Sequence, residues 1–529
     1  MKKILVLLLL LIPSYLWAAC SWTGNVGTPD TDNSAAHIAE CTTTATTNQS
    51  GGVAIINLNA GNTSWSGNLT INMTSGYTNV TDLRIIGAGT YADHGASASG
   101  GTTITITGHY INVTVAPQKK IRISNITFTG TPGSLVGDSA CIFINGATKY
   151  SNGGGFRVDH NTYVGNIRTM YLYTSIAYGL IDANIQNGDE QVIGWGAGSN
   201  SNAAGDGDGN ASWGTDDTIG LAGAGDAVYL ENNQFTAGVD TCSGNHCWMV
   251  MDTSCGGRVV ERYNDVTNHY LGGHDATQCR AQRHFEYYNN DLYAKEANSN
   301  GTISMRGGTG LVYNNYIHSD QANSSAAFQS NLGNAGIPLM DYRWDSVAGE
   351  GDLGGVFANT CTAGHQTKGY LGPTVTETGG TCTSGTGCVY MDNTTGEGTT
   401  LNEGWPCLDQ IGRGKDQVSQ PTLLWNNIVK FANNAPVPAV AYVRNGNITK
   451  DLDYCETSSA TMPAKCPADT GVVSKDYTPF TCPHPWTGLT GSCDTTSTSM
   501  YGTAGYNIEN APTATAVCQG CVLSGGLMR

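Results

Sequence analysis

The stretch Leu230-Glu231-Asn232-Asn233-Gln234-Phe235 runs apolar, polar, polar, Asn, polar, apolar, and the chain repeats that pattern. Asn161, Asn264, Asn290, Asn315 and Asn427 stand where Asn233 does, and the best-preserved further copies are Phe285 to Leu292, Leu311 to Ile317 and Leu423 to Val429. From Asn233 to Asn315 the steps are 31, 26 and 25 residues. The 72 residues between Asn161 and Asn233 read as three turns of roughly 24. An Asn at a tight turn between short apolar strands tolerates left-handed backbone angles, and its amide can bond to the Asn one coil above and below. The column predicts an all-β solenoid of stacked strands.

Lys2-Lys3, the apolar run Ile4 to Ile12, Pro13 and the small Ala18-Ala19 ahead of Cys20 read as a secretory signal peptide over residues 1–19, too short to span a bilayer. No later segment approaches about 18 uninterrupted apolar residues, so no membrane span is expected and the protein is placed as secreted or at the cell surface. Leu16-Trp17-Ala18-Ala19-Cys20 loosely resembles a bacterial lipoprotein site, with Trp17 where Leu is usual, so a lipid anchor at Cys20 is an option.

With 17 Cys in an exported chain, disulfides are expected rather than metal or catalytic thiols. Cys242-Cys247, Cys382-Cys388 and Cys518-Cys521 have the spacing of local loop staples, and none has the His pattern of a zinc site. The odd count leaves one thiol over, and Cys141 in the strand-like Ala140 to Ile144 is the candidate unless a lipid on Cys20 removes that one. Without Lys2 and Lys3 the formal charge of −17 becomes about −19, which argues against nucleic acid as a partner.

Asp32-Asn33-Ser34 can cap a helix from Ala35 to Cys41, and Cys20 is expected to pair with Cys41. Short strands ended by Gly follow: Val53 to Gly61, Thr63 to Ile71 and Leu83 to Thr90. This capping helix, the strand ending Asn59-Ala60-Gly61, the stretch Thr63-Ser64-Trp65-Ser66, the Leu69-Thr70-Ile71 strand and the turn Ile85-Ile86-Gly87-Ala88-Gly89 together resemble the opening of pectate-lyase-like, right-handed parallel β-helix proteins. With the Asn column the resemblance covers roughly residues 33 to 450. It implies a right-handed parallel β-helix whose N-terminal helix covers the open end. It implies no single reaction, because that fold carries lyases, hydrolases, isomerases, tailspikes and adhesins.

Between Asn315 and Asn427 the column is silent for 112 residues. That stretch reads as a large insertion at about 320–420, pinned by Cys361, Cys382, Cys388 and Cys407, with room for one or two degenerate coils. After residue 450 the apolar rhythm fades, and the Cys between Cys455 and Cys493 suggest a disulfide-stapled C-terminal cap over 451–529. The segments Trp405 to Gln410 and Pro483-His484-Pro485 resemble segments of secreted bacterial β-helix proteins.

Two regions carry chemistry. From Asp206 to Asp217, oxygen-bearing Asp206, Asp208, Asn210, Ser212 and Asp217 have the spacing of a loop wrapped around Ca²⁺, although Ala211 stands where such loops turn on Gly. The stretch Arg258 to Arg306 gathers Arg258, Arg262, Arg280, Arg283, Lys295 and Arg306 with His269, His274 and His284 in an otherwise acidic chain. A polysaccharide lyase must neutralise a uronate carboxylate, by Ca²⁺ or Arg, before a base can take the C5 proton. His274, Asp275, Arg280 and Arg306 are the candidate catalytic residues. Glu261, Asp265, Asp275, Glu286, Asp291 and Glu296 lie in the same stretch, so cross-coil ion pairs are the structural alternative.

The expectation is a secreted carbohydrate-active protein, a polysaccharide lyase acting on an extracellular acidic polysaccharide. A non-catalytic glycan-binding, adhesin or structural solenoid is the alternative. An inverting glycoside hydrolase of polygalacturonase type, using Asp216-Asp217, His274 and Arg306, is a lesser one. Its family pattern lacks the Asn-Thr-Asp element here, and Asp275 stands where a Gly should follow the His.

Overall fold

The computed structural model describes residues 20–48, most of 52–319, residues 337–339, 377–378, 381–382 and 411–412, most of 421–461, and residues 463, 484 and 486. Within 52–319 the longest segments outside the description are 196–226, 238–248, 274–281 and 295–301.

Three long sheets run side by side along the chain. The first has 13 strands, the second 11 and the third six, the third being continued by the pairs Leu271–Gly272 with Ile303–Ser304 and Ile337–Leu339 with Ala441–Val443. Pairing within these sheets is parallel apart from the first hairpin, Cys20–Thr23 with Val26–Pro29, and the last pair of the second sheet, Ile428–Phe431 with Val437–Pro438. Each coil therefore contributes one strand to each sheet. Gly155–Asp159, Thr162–Val164 and Met170–Tyr173 make one such turn, and Gly179–Asp182, Ile185–Asn187 and Ile193–Trp195 make the next.

The Asn column is a continuous hydrogen-bonded ladder through Asn161, Asn184, Asn233, Asn264, Asn290, Asn315 and Asn427. Each backbone N–H donates to the Oδ1 of the Asn one coil on, as from Asn264 to Asn290 at 3.0 Å. Each Nδ2 donates to that same Oδ1 and to a carbonyl one coil back, Asn264 reaching Leu230 at 3.0 Å. At 0–4% exposure these amides need such partners, and the stack supplies them in both directions.

Two details differ from the sequence reading. Asn184 is a rung that the spacing hides, so Asn161 to Asn233 is two steps of 23 and 49 residues rather than three equal turns. The ladder Asn is also not the left-handed residue. Positive φ falls on the position before it, at His160, Ala183, Asn232, Tyr263, Asn289, Asn314 and Asn426. One residue bends the chain and the next bonds between coils. The 112-residue gap holds no extra rung, because Leu311, Val312 and Tyr313 pair directly with Leu423, Leu424 and Trp425.

The interior follows from the period of two. In the second sheet the residue two beyond each ladder Asn points inward, giving the column Tyr163, Gln186, Phe235, Val266, Leu292, Ile317 and Val429, all buried. In the first sheet Val158, Ile181, Leu230, Glu261, Tyr287, Val312 and Leu424 form the matching inward column.

The first-to-second corner is two residues long at every coil from Asp159 onward, whereas long segments enter at the other two corners. Residues 196–226 fall between a third-sheet strand and the next first-sheet strand, and so do 340–420; residues 238–248, 295–301 and 320–336 fall between second and third. An earlier corner, Gly87 to Gly101, is the long exception. It lies along the tight corners of later coils, with Ser97 N–H on Asn125 Oδ1 at 2.8 Å, Ala96 N–H on Thr162 Oγ1 at 2.9 Å and His94 against Asn232 at 3.2 Å.

The helix runs Ala35–Asn48, seven residues beyond Cys41. Ser34 caps it, its Oγ accepting the His37 N–H at 3.3 Å. The hydroxyls of Thr42, Thr43 and Thr44 bond back to carbonyls three and four residues earlier, so they are satisfied within the helix itself. Ile38, Cys41 and Ala45 join the core, and the helix packs on the end rungs Gly52–Asn57 and Leu69–Asn72. Cys20 and Cys41 form a disulfide, which occupies the sulfur that a lipid thioether would need. Cys141 is free and buried, and burial pushes its thiol up, which keeps it unreactive. No helix among the described residues is long and apolar enough to cross a membrane.

Candidate functional site

Of the residues singled out from sequence, Asp206, Asp208, Asn210, Ser212 and Asp217 lie outside the described residues, as do His274, Asp275 and Arg280. Arg306 is described and half-buried, directly after the bridge residue Met305. Gly273, which precedes His274, ends the rung Leu271–Gly272, and that rung pairs with Ile303–Ser304 just ahead of Arg306. The proposed His and Arg therefore follow equivalent ends of adjacent third-sheet rungs in sequence.

Elsewhere in the Arg/His-rich stretch the charges divide between the two faces of the first sheet. Arg262 faces outward and is fully buried; it grips Glu231 Oε2 through Nε at 3.0 Å and Nη2 at 2.7 Å, and donates from Nη1 to the Tyr288 hydroxyl at 2.6 Å. His284 Nε2 lies 3.2 Å from Glu286 Oε1. Part of the enrichment is thus cross-coil pairing. Glu261 belongs to the inward column instead, and neither of its carboxyl oxygens has a hydrogen-bond partner among the described residues.

One acidic group has the composition of a metal site. Asp159, His160 and Asp182 bring one ligand atom each to within 4.8 Å of one another. Both carboxylates, however, are already held. Arg122 contacts Asp159 at 2.7 and 2.5 Å, and Arg157 contacts Asp182 at 2.9 and 2.7 Å and Asp159 at 3.4 Å. Burial pushes the Asp159 carboxyl up, but Arg157 and Arg122 outweigh it and hold the group well below the usual range. Ca²⁺ takes six to eight oxygens, and here two guanidiniums fill the positions a cation would need. The group does not fit Ca²⁺; it is a charge-balanced structural network.

A different cluster, on the outer face of the second sheet, has unbalanced acid–base chemistry. In that sheet the residues one and three beyond each ladder Asn point outward, because the one between them enters the core. The first outward column reads Gln234, Asp265, Asp291, Tyr316 and Ile428; the second reads Thr236, Thr267, Tyr293, His318 and Lys430. Asp265 and Asp291 are opposed on adjacent rungs. His318 reaches diagonally back, its Nε2 2.6 Å from Asp291 Oδ1, a close ion-pair contact in which Oδ1 accepts no hydrogen bond. Its ring lies flat against Tyr293, centroids 4.4 Å apart with 7° between planes, while Tyr316 flanks it at 5.4 Å.

Burial and the neighbouring Asp291 charge raise the Asp265 carboxyl to about 6, against a smaller opposing effect of His318. Burial, then Asp291, also pushes the Tyr316 hydroxyl up. Asp265 thus carries a proton through mildly acidic pH beside the Asp291–His318 contact. His318 is 5% exposed, and its buried Nδ1 has no hydrogen-bond partner among the described residues. Lys430 stands one rung above His318. A proton donor, an oriented imidazole, a flat ring and a nearby ammonium share one half-buried face.

The sequence reading counted Asp265 and Asp291 only among possible ion-pair partners and missed His318. The signal was present. Asn264-Asp265, Asn290-Asp291 and Asn315 with His318 hold fixed offsets from the ladder, which acquire a direction once the corner is known to be two residues long. Comparison of the chain with protein-family models, with curated proteins and with solved structures returns no match.

Proposed function

We propose that this chain is a secreted, right-handed parallel β-helix protein that cleaves an extracellular acidic polysaccharide by β-elimination. The observation that carries the reading is the second-sheet cluster, in which Asp265 is raised to about 6 one rung below the Asp291–His318 contact. β-Elimination needs a base to take the C5 proton of a uronate and an acid to protonate the departing O4, while a cation lowers the charge of the sugar carboxylate. The C4–O4 bond breaks, a C4–C5 double bond forms, and no water is consumed. His318 is the base, its ring stacked on Tyr293 and its Nε2 close to Asp291; Asp265 is the acid; Lys430 faces the carboxylate; and Tyr293 offers a ring for sugar stacking.

His274, Asp275, Arg280 and Arg306, following third-sheet rungs, belong to the same reading as residues that bind the polymer or share its chemistry. The Asp206 to Asp217 loop is its Ca²⁺ element. Purified protein is incubated with pectate, alginate and glycosaminoglycans, with and without Ca²⁺, and the ultraviolet absorbance of unsaturated ends is followed. Product from at least one polymer, lost in His318→Gln, is the expected result. No absorbance change with any polymer refutes the elimination.

A further inference from the structure

The second outward column of the second sheet runs on below the acid–base cluster without a break. Beneath Thr267 it reads Thr236, Asn187, Val164, Thr129, Thr105 and Ser64, one residue per rung. None of these carries a charge, although the chain has a formal charge of −17, and the neighbouring outward column is uncharged from Asn62 to Gln234. Ile104, Phe128 and Phe235, which lie between the two columns, are buried in the core, so both columns keep facing outward from rung to rung.

This face is open where the other two are covered over much of their length. Outward Leu180, Val260 and Leu311 of the first sheet are fully buried, and so are outward Phe143 and Ser304 of the third. On the second column, by contrast, Val164 is 46% exposed, and Asn187 and Ser64 are exposed as well. The loop from Gly87 to Gly101 stands over the first column instead. Its Ala96 N–H donates to Thr162 Oγ1 at 2.9 Å, and a Cβ at Gly95 would fall 2.9 Å from Ile185 Cδ1. The loop is a wall beside the second column, and the second column is a floor.

We propose that the second outward column is the track on which the acidic polysaccharide lies, parallel to the solenoid axis, so that the polymer meets the acid–base cluster lengthwise. The proposal rests on the elimination reading, whose cluster occupies the other end of the same column. Rungs are about 4.8 Å apart, close to the advance of one pyranose unit along an extended glycan. Hydroxyl and amide side chains both donate to and accept from sugar hydroxyls, and the column offers one on nearly every rung. A polyanion approaching a chain of net charge −17 is repelled least where the floor carries no carboxylate. The first carboxylates on this face, Asp265 and Asp291, occur only at the cluster. Val164 lies about 24 Å from His318 at that rung spacing, so a glycan of about six units or more touches both.

The test places one charge on the column, far from the chemistry. Val164→Glu and Val164→Lys are compared with the wild type and with Thr70→Lys, a control at an exposed outward position of the third sheet. All are full-length proteins, and because both positions are exposed the four should share a thermal midpoint. Binding to pectate, alginate and glycosaminoglycans is measured by affinity electrophoresis at about 0.15 M salt, where a Debye length of about 8 Å screens residue 164 from the cluster. The ultraviolet absorbance of unsaturated ends is followed in parallel. Val164→Glu should weaken binding of the polymer about threefold, Val164→Lys should tighten it by a similar factor, and Thr70→Lys should leave it unchanged. Equal binding by the two Val164 variants overturns the track. So does Thr70→Lys tightening binding as much as Val164→Lys, and so does an absence of binding to every polymer. The two readings fail separately: binding that follows the charge at Val164 with no absorbance change sinks the elimination and keeps the track, whereas elimination with binding blind to that charge does the reverse.

Discussion

Replacing Glu261 by leucine tests the interior of the solenoid through one carboxyl group. Glu261 occupies the inward column between Leu230 and Tyr287, is 0% exposed, and has no hydrogen-bond partner on either oxygen among the described residues. Burial pushes its pKa well above the usual 4.5, so the folded protein holds the side chain as the neutral acid. The unfolded chain loses that proton near 4.5. Folded-state stability contributed by this group is complete below 4.5 and is lost as pH rises toward the folded value. The slope is about 1.4 kcal/mol per pH unit while the folded form keeps a proton the unfolded form has released. Each such unit is a sizeable part of the net stability of an ordinary domain. Glu261→Leu restores the apolar character of the column and deletes the slope; Glu261→Gln deletes the slope but leaves an unsatisfied amide. Urea unfolding midpoints of wild type and both variants are measured from about pH 4.5 to 7.5. Subtracting the curves removes every other titrating group. Glu261→Leu should overtake the wild type increasingly as pH rises. A wild type and leucine variant whose difference does not change with pH would refute a neutral, unpartnered Glu261.

Asn290→Ala removes the Oδ1 that accepts from both nitrogens of Asn264 and the Nδ2 that donates to Asn315 and to the Glu261 carbonyl, and should cost about 3 kcal/mol by chemical unfolding. Ala183→Gly places the residue that tolerates left-handed angles at φ 52° and should be neutral to stabilising by about 1 kcal/mol in the same assay. Asp265→Asn should lower the elimination rate about 100-fold without shifting the thermal midpoint. In the wild type the rate limb set by Asp265 should fall as pH rises through about 6, since the donor must be protonated, and that limb should vanish in the variant.

The ladder was readable because it obeys a local rule. Seven buried amides must each find partners, and an Asn recurring between short apolar runs finds them in its own copies. Asn184 escaped because Ala183, Ile185 and Gln186 break the pattern on either side of it and the next rung follows only after 49 residues. The left-handed position escaped because residue type does not mark it: His160, Ala183 and Tyr263 take the same angles as Asn232. The helix outran its expected end at Cys41, and the Thr hydroxyls beyond it bond to the helix's own carbonyls.

By itself the sequence determined the β class, the coiling, the position of the N-terminal helix, the Cys20–Cys41 bond and the spare Cys141, all of which rest on periodicity or on neighbours close along the chain. The tertiary structure alone decided which charges meet. Asp265, Asp291 and His318 become a cluster only after stacking puts residues 26 and 27 positions apart on adjoining rungs. His484 reaches Glu231 across 253 residues, a contact no local pattern encodes. Register sets a side chain's face from its own coil, but its partners, burial and protonation come from the coils above and below, and those distances are not written in sequence spacing.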